Sequence, residues 1–217
     1  MTGTAASQQI VYVVEDDPSA RRLVCALAQS LGVSCLPFAT ATAFLKYYEP
    51  QMSGCLVLDI LMPDLNGLAV QQQLLRQGSI IPIIFITGYG DVPSAVEAMR
   101  RGAFNFLQKP LANTELSDNI ERALELDRRN RMSLAGINSI RQRLHSLTPR
   151  EREVLDEVSR GKPNKVIARN LDISERSVEL HRSKAMEKMG ASSVAQLMRM
   201  LLVLDEEADR LGSTPRQ

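Results

Sequence analysis

Five short apolar runs, each followed by a longer segment with helical spacing, restrict what the first half of this chain can fold into. They are IVYVV (10–14), VSCLPF (33–38), CLVL (55–58), IPIIFI (81–86) and AFNFL (103–107). The runs are apolar almost throughout rather than alternating, which implies a sheet covered on both faces, hence parallel strands joined by crossover helices. Between them, 18–31, 40–48, 66–77 and 93–101 have helical patterns, and Gly32, Gly78 and Gly102 close three of these. Five such units predict a doubly wound α/β domain around a five-stranded parallel sheet. From Asn113 to about His145 there is no proline and only Gly136, so the fifth helix is expected to run on as a linker. A solvated connector is the simpler reading of its arginine-rich middle, DRRNRMSLAGINSIRQR. A dimerising coil is the alternative, although no heptad persists for three repeats. From Leu147 onward the pattern is entirely helical.

With 217 residues, the chain has room for two domains. Its formal charge of +1 hides an asymmetry: residues 1–125 hold 8 Lys+Arg against 12 Asp+Glu, and residues 126–217 hold 18 against 13. Omitting the acidic tail, 205–217, leaves the second module at +7 over 79 residues, which suggests a polyanionic partner. No run of eighteen apolar residues occurs, and MTGTAASQQ lacks the regions of a secretory signal, so a cytoplasmic protein with no membrane partner is expected. Cys25, Cys35 and Cys55 have no CxxC spacing and sit among apolar residues. They are expected to be reduced core residues rather than a disulfide or a metal site.

In open parallel sheets, ligands bind beyond the carboxyl ends of the strands. Those ends carry Glu15, Asp16 and Asp17 after the first strand, Asp59 after the third, Thr87 after the fourth and Lys109 after the fifth. Each residue alone fits an ordinary turn, cap or surface role, but their convergence on one rim is hard to reach by chance. Close carboxylates repel, so a divalent cation or a proton must neutralise some of them. An oxygen-only donor set with phosphate suits Mg²⁺. A carboxylate can also attack phosphorus and form an aspartyl-phosphate, for which Lys109 would supply charge and Thr87 a hydroxyl.

At this order and spacing VVEDDP, LVLDILMPDLNG, IFITGYGD and FLQKP resemble the receiver domain of bacterial two-component response regulators, over residues 8–125. The resemblance implies a flavodoxin-like receiver with Asp59 as phosphoacceptor. It implies Mg²⁺ held by Glu15, Asp16, Asp59 and the carbonyl of Leu61, with Asp17 as an accessory acid. Thr87 and Lys109 match the family's hydroxyl and lysine, Lys109-Pro110 its usual cis bond, and Phe106 its switch aromatic. An ordinary core role for Phe106 is the even alternative. The implied donor is a phosphohistidine on a sensor histidine kinase.

In the basic module, Thr148, Pro149 and Glu151 form a helix-start signal of the capping-box kind. A short helix (164–171), a turn at Asp172 and Ile173, and a longer helix capped by Ser174 outline a helix-turn-helix, and Ser192 or Ser193 starts a fourth helix. Helical spacing puts Val178, Ala185 and Met189 on one side of the longer helix. Arg176, Glu179, Leu180, Ser183, Lys184 and Glu187 lie opposite or beside them. Glu179, Leu180 and Ser183 suit base edges. Asn164, Lys165, Arg176, Arg182, Lys184 and Lys188 suit phosphates. LTPREREVL, NKVIARNL and SVELHRSKAMEKM resemble the LuxR-type helix-turn-helix, over residues 147–204 with 126–146 as linker, and the whole chain is similar to FixJ- and NarL-type response regulators.

That resemblance implies a transcription factor, acting as an activator, that dimerises when phosphorylated, reads double-stranded DNA and works with RNA polymerase. No turnover enzyme is expected, because the site is small and polar and no separate base is evident. A metal-dependent phosphatase with an aspartyl nucleophile is one rival, but it would want an acid where Leu61 stands. A constitutive DNA-binding protein is another. RNA binding fits less well, since no aromatic stacking platform is present.

Overall fold

A computed structural model describes residues 9–88 and 92–212 of the chain, with side chains to residue 207. Most of the MTGTAASQQ stretch, the YGD of IFITGYGD and the end of the acidic tail lie outside the described residues. Contacts divide the chain into two compact units, 1–131 and 132–217.

The first unit contains strands β1 (Ile10–Val14), β2 (Ser34–Phe38), β3 (Gly54–Asp59), β4 (Ile83–Thr87) and β5 (Asn105–Gln108), all parallel in the order β2-β1-β3-β4-β5. Helices α1 (Pro18–Ser30), α2 (Ala41–Tyr47), α3 (Gly67–Arg76), α4 (Val92–Arg100) and α5 (Asn113–His145) connect or follow them. Successive strand residues alternate faces. Tyr12, Val14, Leu56, Leu58 and Phe85 therefore pack with Phe44, Val70, Leu74 and Ala98, while Val11, Val13, Val57, Ile84 and Ile86 pack with Val24, Ala28, Leu116 and Ile120. The expected architecture is present, with element ends shifted by one or two residues.

One expectation fails. Cys25 and Cys35 form a disulfide, with their Cα atoms 5.3 Å apart, and only Cys55 is free and buried. The cause is tertiary: α1 packs on the sheet face to which Cys35 contributes, bringing Cys25 over it. Spacing in sequence carries no trace of that encounter.

At the amino ends of the strands, the wholly buried carboxylate of Asp127 fastens α5 to the start of β3. Its Oδ2 accepts from Ser53 Oγ at 2.7 Å and the Gly54 N–H at 2.9 Å, and Oδ1 accepts from Arg131 Nε at 2.8 Å. Arg131 in turn donates to the carbonyl of Gln51 at 3.1 Å and to that of Met52. The first unit thus extends through Arg131, beyond the residue 125 read from the pattern.

In the second unit the end of α5 supplies Ile140 and Leu144 to a core built from α6 (Pro149–Ser159), α7 (Asn164–Leu171), α8 (Glu175–Met189) and α9 (Val194–Gly212). Thr148 and Glu151 make the full capping box, Asp172 turns the chain at φ 53°, and Ser174 caps α8 by accepting from the Ser177 N–H. Val178, Ala185 and Met189 are buried, as the helical spacing required. Helix α9 does not stop near residue 204; Glu207, within the expected tail, pairs with Arg141 at 2.9 Å.

Two acids of this unit are held near pH 2. The Lys188 ammonium holds Glu151 down to about 2, and Lys162 with Asn170 does the same for Glu157. Depressed carboxyl groups add stability above their unfolded value of about 4.5, and that stability is lost as pH falls through the folded value near 2. The helical unit should therefore lose thermal stability on acidification across that window. Calorimetric melting temperatures in a pH series check this, and Lys188→Met should flatten the Glu151 part of the slope.

Candidate functional site

Parallel strands end on the same side, so the residues that follow β1, β3, β4 and β5 meet there. Lys109 Nζ donates to Glu15 Oε2 at 2.6 Å and to Asp59 Oδ2 at 2.7 Å, which draws together the ends of β1, β3 and β5. Asp59 Oδ1 accepts from the Leu61 N–H at 3.0 Å, fixing the rotation of the carboxylate. The Lys109 N–H donates to the Thr87 carbonyl at 2.7 Å, so the buried Thr87 adjoins the lysine from β4. The Lys109-Pro110 bond is cis. Phe106 lies in β5 opposite Phe85, partly buried against the core on that face.

Glu15, Asp16 and Asp59 each bring a carboxylate oxygen within 4.8 Å of the others, a group able to hold a metal ion. Three carboxylates share this rim with one ammonium. Burial, reinforced by the Asp59 charge, raises the Glu15 pKa despite the Lys109 hydrogen bond. Burial works against the Lys109 ammonium, but its bonds to Asp59 and Glu15 outweigh that and raise its pKa. A divalent cation matches the remaining charge, and the all-oxygen donor set suits a hard ion. Asp17 is occupied otherwise: its carboxylate accepts from the Ser19 and Ala20 N–H groups as the cap of α1, which keeps its pKa low.

One support, Arg21, was invisible in the sequence. Arg21 donates to the carbonyls of Glu15 at 2.5 Å and Asp16 at 3.2 Å, holding the acidic loop from behind. Asp64, in the loop after Asp59, accepts from the Thr42 N–H and hydroxyl, both at 2.9 Å, and so ties that loop to α2. Gly67 closes the same loop: a Cβ there would lie 2.5 Å from the Asp59 carbonyl oxygen. Gly67→Ala should push that backbone aside and cost about 1–3 kcal/mol in stability, as overpacking does. Urea denaturation checks this.

On α8, Arg176, Glu179, Leu180, Ser183 and Lys184 are exposed together, and Lys165 is exposed on α7. The three other residues expected at phosphates are held within the unit: Arg182 donates to Asn164 Oδ1 at 2.9 Å, and Lys188 to Glu151 Oε2 at 2.6 Å.

Two family profiles match. "Response regulator receiver domain" matches residues 11–121, and "Bacterial regulatory proteins, luxR family" matches residues 145–201. The chain is a two-component response regulator. Among curated relatives it is 40% identical to Nodulation protein W of Bradyrhizobium diazoefficiens over 97% of this chain and 92% of that one. It is 42% identical to the transcriptional regulatory protein FixJ of Rhizobium meliloti, over 88% of this chain and 94% of that one. Among solved structures, response regulator StyR matches with a TM-score of 0.83 at 40% identity, covering 89% of this chain and 98% of that one. Full-length FixJ from B. japonicum matches at 0.56 and 38%, covering 92% and 98%. This response regulator therefore pairs a receiver, whose partner is a histidine kinase, with a LuxR-type module that binds DNA and serves transcription regulation. Its family is one of transcription factors rather than conventional enzymes. Among the described residues no helix is long and apolar enough to cross a membrane.

Proposed function

We propose that this response regulator accepts a phosphoryl group on Asp59 from a phosphohistidine of a sensor kinase, and that the modified form dimerises, binds its operator and activates transcription with RNA polymerase. The observation that carries the reading is the pair of hydrogen bonds that Lys109 Nζ donates, one to Asp59 and one to Glu15. It sets a cation beside a carboxylate whose other oxygen the Leu61 N–H fixes.

Asp59 attacks phosphorus, the P–N bond to the donor imidazole breaks, and the imidazole leaves with a proton. Lys109 neutralises charge on the transferred group and Thr87 donates its hydroxyl to it. Glu15, Asp16, Asp59 and the Leu61 carbonyl would hold Mg²⁺, which when bound offsets the charge of the carboxylates and phosphoryl oxygens. Asp17 acts there as a helix cap. Beyond this self-modification and its hydrolysis, no turnover is assigned to the receiver. Phosphate adds roughly −1.5 to −2 charge, which recruits Thr87 and Lys109 and biases the surface near Phe106 between two states.

In the LuxR-type module, Glu179, Leu180 and Ser183 read bases while Lys165, Arg176 and Lys184 meet phosphates. Asn164, Arg182 and Lys188 contribute from positions already fixed by internal bonds, and Lys188 contributes least because Glu151 neutralises it. Lys184→Ala should weaken binding to all duplexes and lower the salt slope by about one. Glu179→Gln should instead change the preferred base at one position. Salt titrations and selection from a random duplex pool separate these outcomes.

The reading is tested by treating the protein with a small-molecule phosphodonor and Mg²⁺, then measuring mass by light scattering and DNA affinity at fixed salt. Mass should double and affinity should rise. Unchanged mass and affinity in a labelled sample would favour a constitutive DNA-binding protein.

A further inference from the structure

Cys25 and Cys35 take no part in the chemistry proposed at Asp59, yet they differ from the third cysteine in access and in reach. Cys25 lies within α1 and Cys35 in the edge strand β2, both partly exposed, whereas Cys55 is buried in β3. In the strand register Val11 faces Cys35 on one side and Cys55 on the other. With neighbouring strands about 4.8 Å apart, Cys55 is two spacings from Cys35 and out of reach of a disulfide. Burial also pushes the Cys55 thiol pKa far up, so its reactive thiolate is scarce. The pair that forms is made of the two cysteines that solvent can reach, and its 5.3 Å Cα separation is the ordinary one for a disulfide.

Their link lies one helical turn from the acidic loop. Arg21, four residues before Cys25 and on the same side of α1, donates to the carbonyls of Glu15 and Asp16. The Asp17 N–H donates to Glu15 Oε1 at 3.1 Å while the Asp17 carboxylate caps α1. The Glu15 N–H donates to the Phe38 carbonyl at the end of β2, at 3.2 Å. Helix α1, the acidic loop and β2 thus form a closed circuit, in which the disulfide is the covalent segment.

We propose that Cys25 and Cys35 are a reversible thiol–disulfide couple, exchanged with low-molecular-weight disulfides, and that its state sets the cation affinity of the Glu15–Asp16–Asp59 cluster through α1. In oxidation, one cysteine thiolate attacks a sulfur of the external disulfide RSSR, whose S–S bond breaks and releases RS⁻. The second cysteine thiolate attacks the protein sulfur of the mixed disulfide and releases the second RS⁻. The two protons lost by the cysteines end on the two released thiolates. Two protein thiols and RSSR become one protein disulfide and two RSH, with two electrons passing from protein to RSSR. The oxidised form holds α1 against β2 and presents a preorganised acidic loop, so it binds the cation more tightly. By linkage the cation favours the disulfide to the same degree. The coupling to cation affinity rests on the proposed reading of the cluster as a cation site; the couple itself does not.

The full chain is equilibrated across ratios of reduced to oxidised glutathione, quenched in acid, denatured, alkylated with a maleimide and weighed. The three cysteines should give one adduct, on Cys55, at the oxidising end and three at the reducing end, the two others appearing together. Mg²⁺ affinity is then measured by calorimetry, without glutathione and without air, on both forms and on Cys25→Ser and Cys35→Ser. Oxidised protein should bind at least about fivefold more tightly than reduced, and both variants should match the reduced form. Three adducts at every ratio, or one adduct at every ratio, would overturn the couple. Equal, measurable Mg²⁺ affinities would overturn the coupling alone, whereas no Mg²⁺ binding in either form would overturn it together with the cation-site reading.

Discussion

Asp59→Asn should reduce labelling by a small-molecule phosphodonor by at least about 10³-fold, equivalent to roughly 4 kcal/mol of barrier. The amide keeps the shape of the carboxylate and can still accept from the Leu61 N–H, so the loop after β3 stays as it is. What it lacks is the anionic oxygen that the proposed reaction directs at phosphorus. Lys109 retains its bond to Glu15, and one negative charge leaves a crowded cluster, so the fold should not suffer. Autoradiography or phosphate-affinity gels report the labelling, and thermal melting reports the fold. Labelling of the variant at the wild-type rate would remove Asp59 from the chemistry. Steady multiple-turnover release of phosphate from a small ester by the wild type would instead favour the phosphatase rival.

The second large effect concerns stability, at the opposite end of the sheet. Asp127→Ala should destabilise the receiver by about 3–5 kcal/mol, as removing one partner of a buried charged pair does. The substitution leaves the Ser53 hydroxyl, the Gly54 N–H and the Arg131 Nε–H without the Asp127 carboxylate they share, which has no exposure. Gly54 itself lies close against the backbone of Ile10, where even a Cβ would meet the Ile10 carbonyl. That cost is a large fraction of a typical domain's 5–15 kcal/mol. Urea denaturation followed by far-ultraviolet circular dichroism should show an earlier first transition. Asp127→Asn, which keeps an acceptor for Gly54, should fall between. A loss below about 1 kcal/mol for Asp127→Ala, the range of an exposed ion pair, would show that the clamp does not hold α5 to the sheet.

The two effects differ in how far the sequence revealed them. Asp59 was legible because strand ends are legible: an apolar β-branched run followed by a carboxylate marks a position, and parallel topology puts all such positions on one rim. The same reasoning found Glu15, Thr87 and Lys109, and the helix-turn-helix followed from caps and helical spacing around Val178, Ala185 and Met189. Asp127 was illegible, because on a helical pattern it is one more acid among arginines. Its burial depends on where the loop before β3 happens to pass. Arg182 and Lys188 read as free cations for the same reason, and Arg21 read as a surface arginine of α1.

By itself, the sequence determined the periodicities and their punctuation, hence the two kinds of fold, the residues gathered at the strand ends and the helix-turn-helix outline. These are local properties, carried by neighbours three or four positions away or by the alternation of a strand. Tertiary structure alone decided other partners: Asp64 across 22 residues to Thr42, Asp127 across 73 to Gly54, and Cys25 across 10 to Cys35. A hydrogen bond or disulfide needs two groups within a few ångströms. That proximity is set by how whole elements pack, which spacing along the chain does not encode.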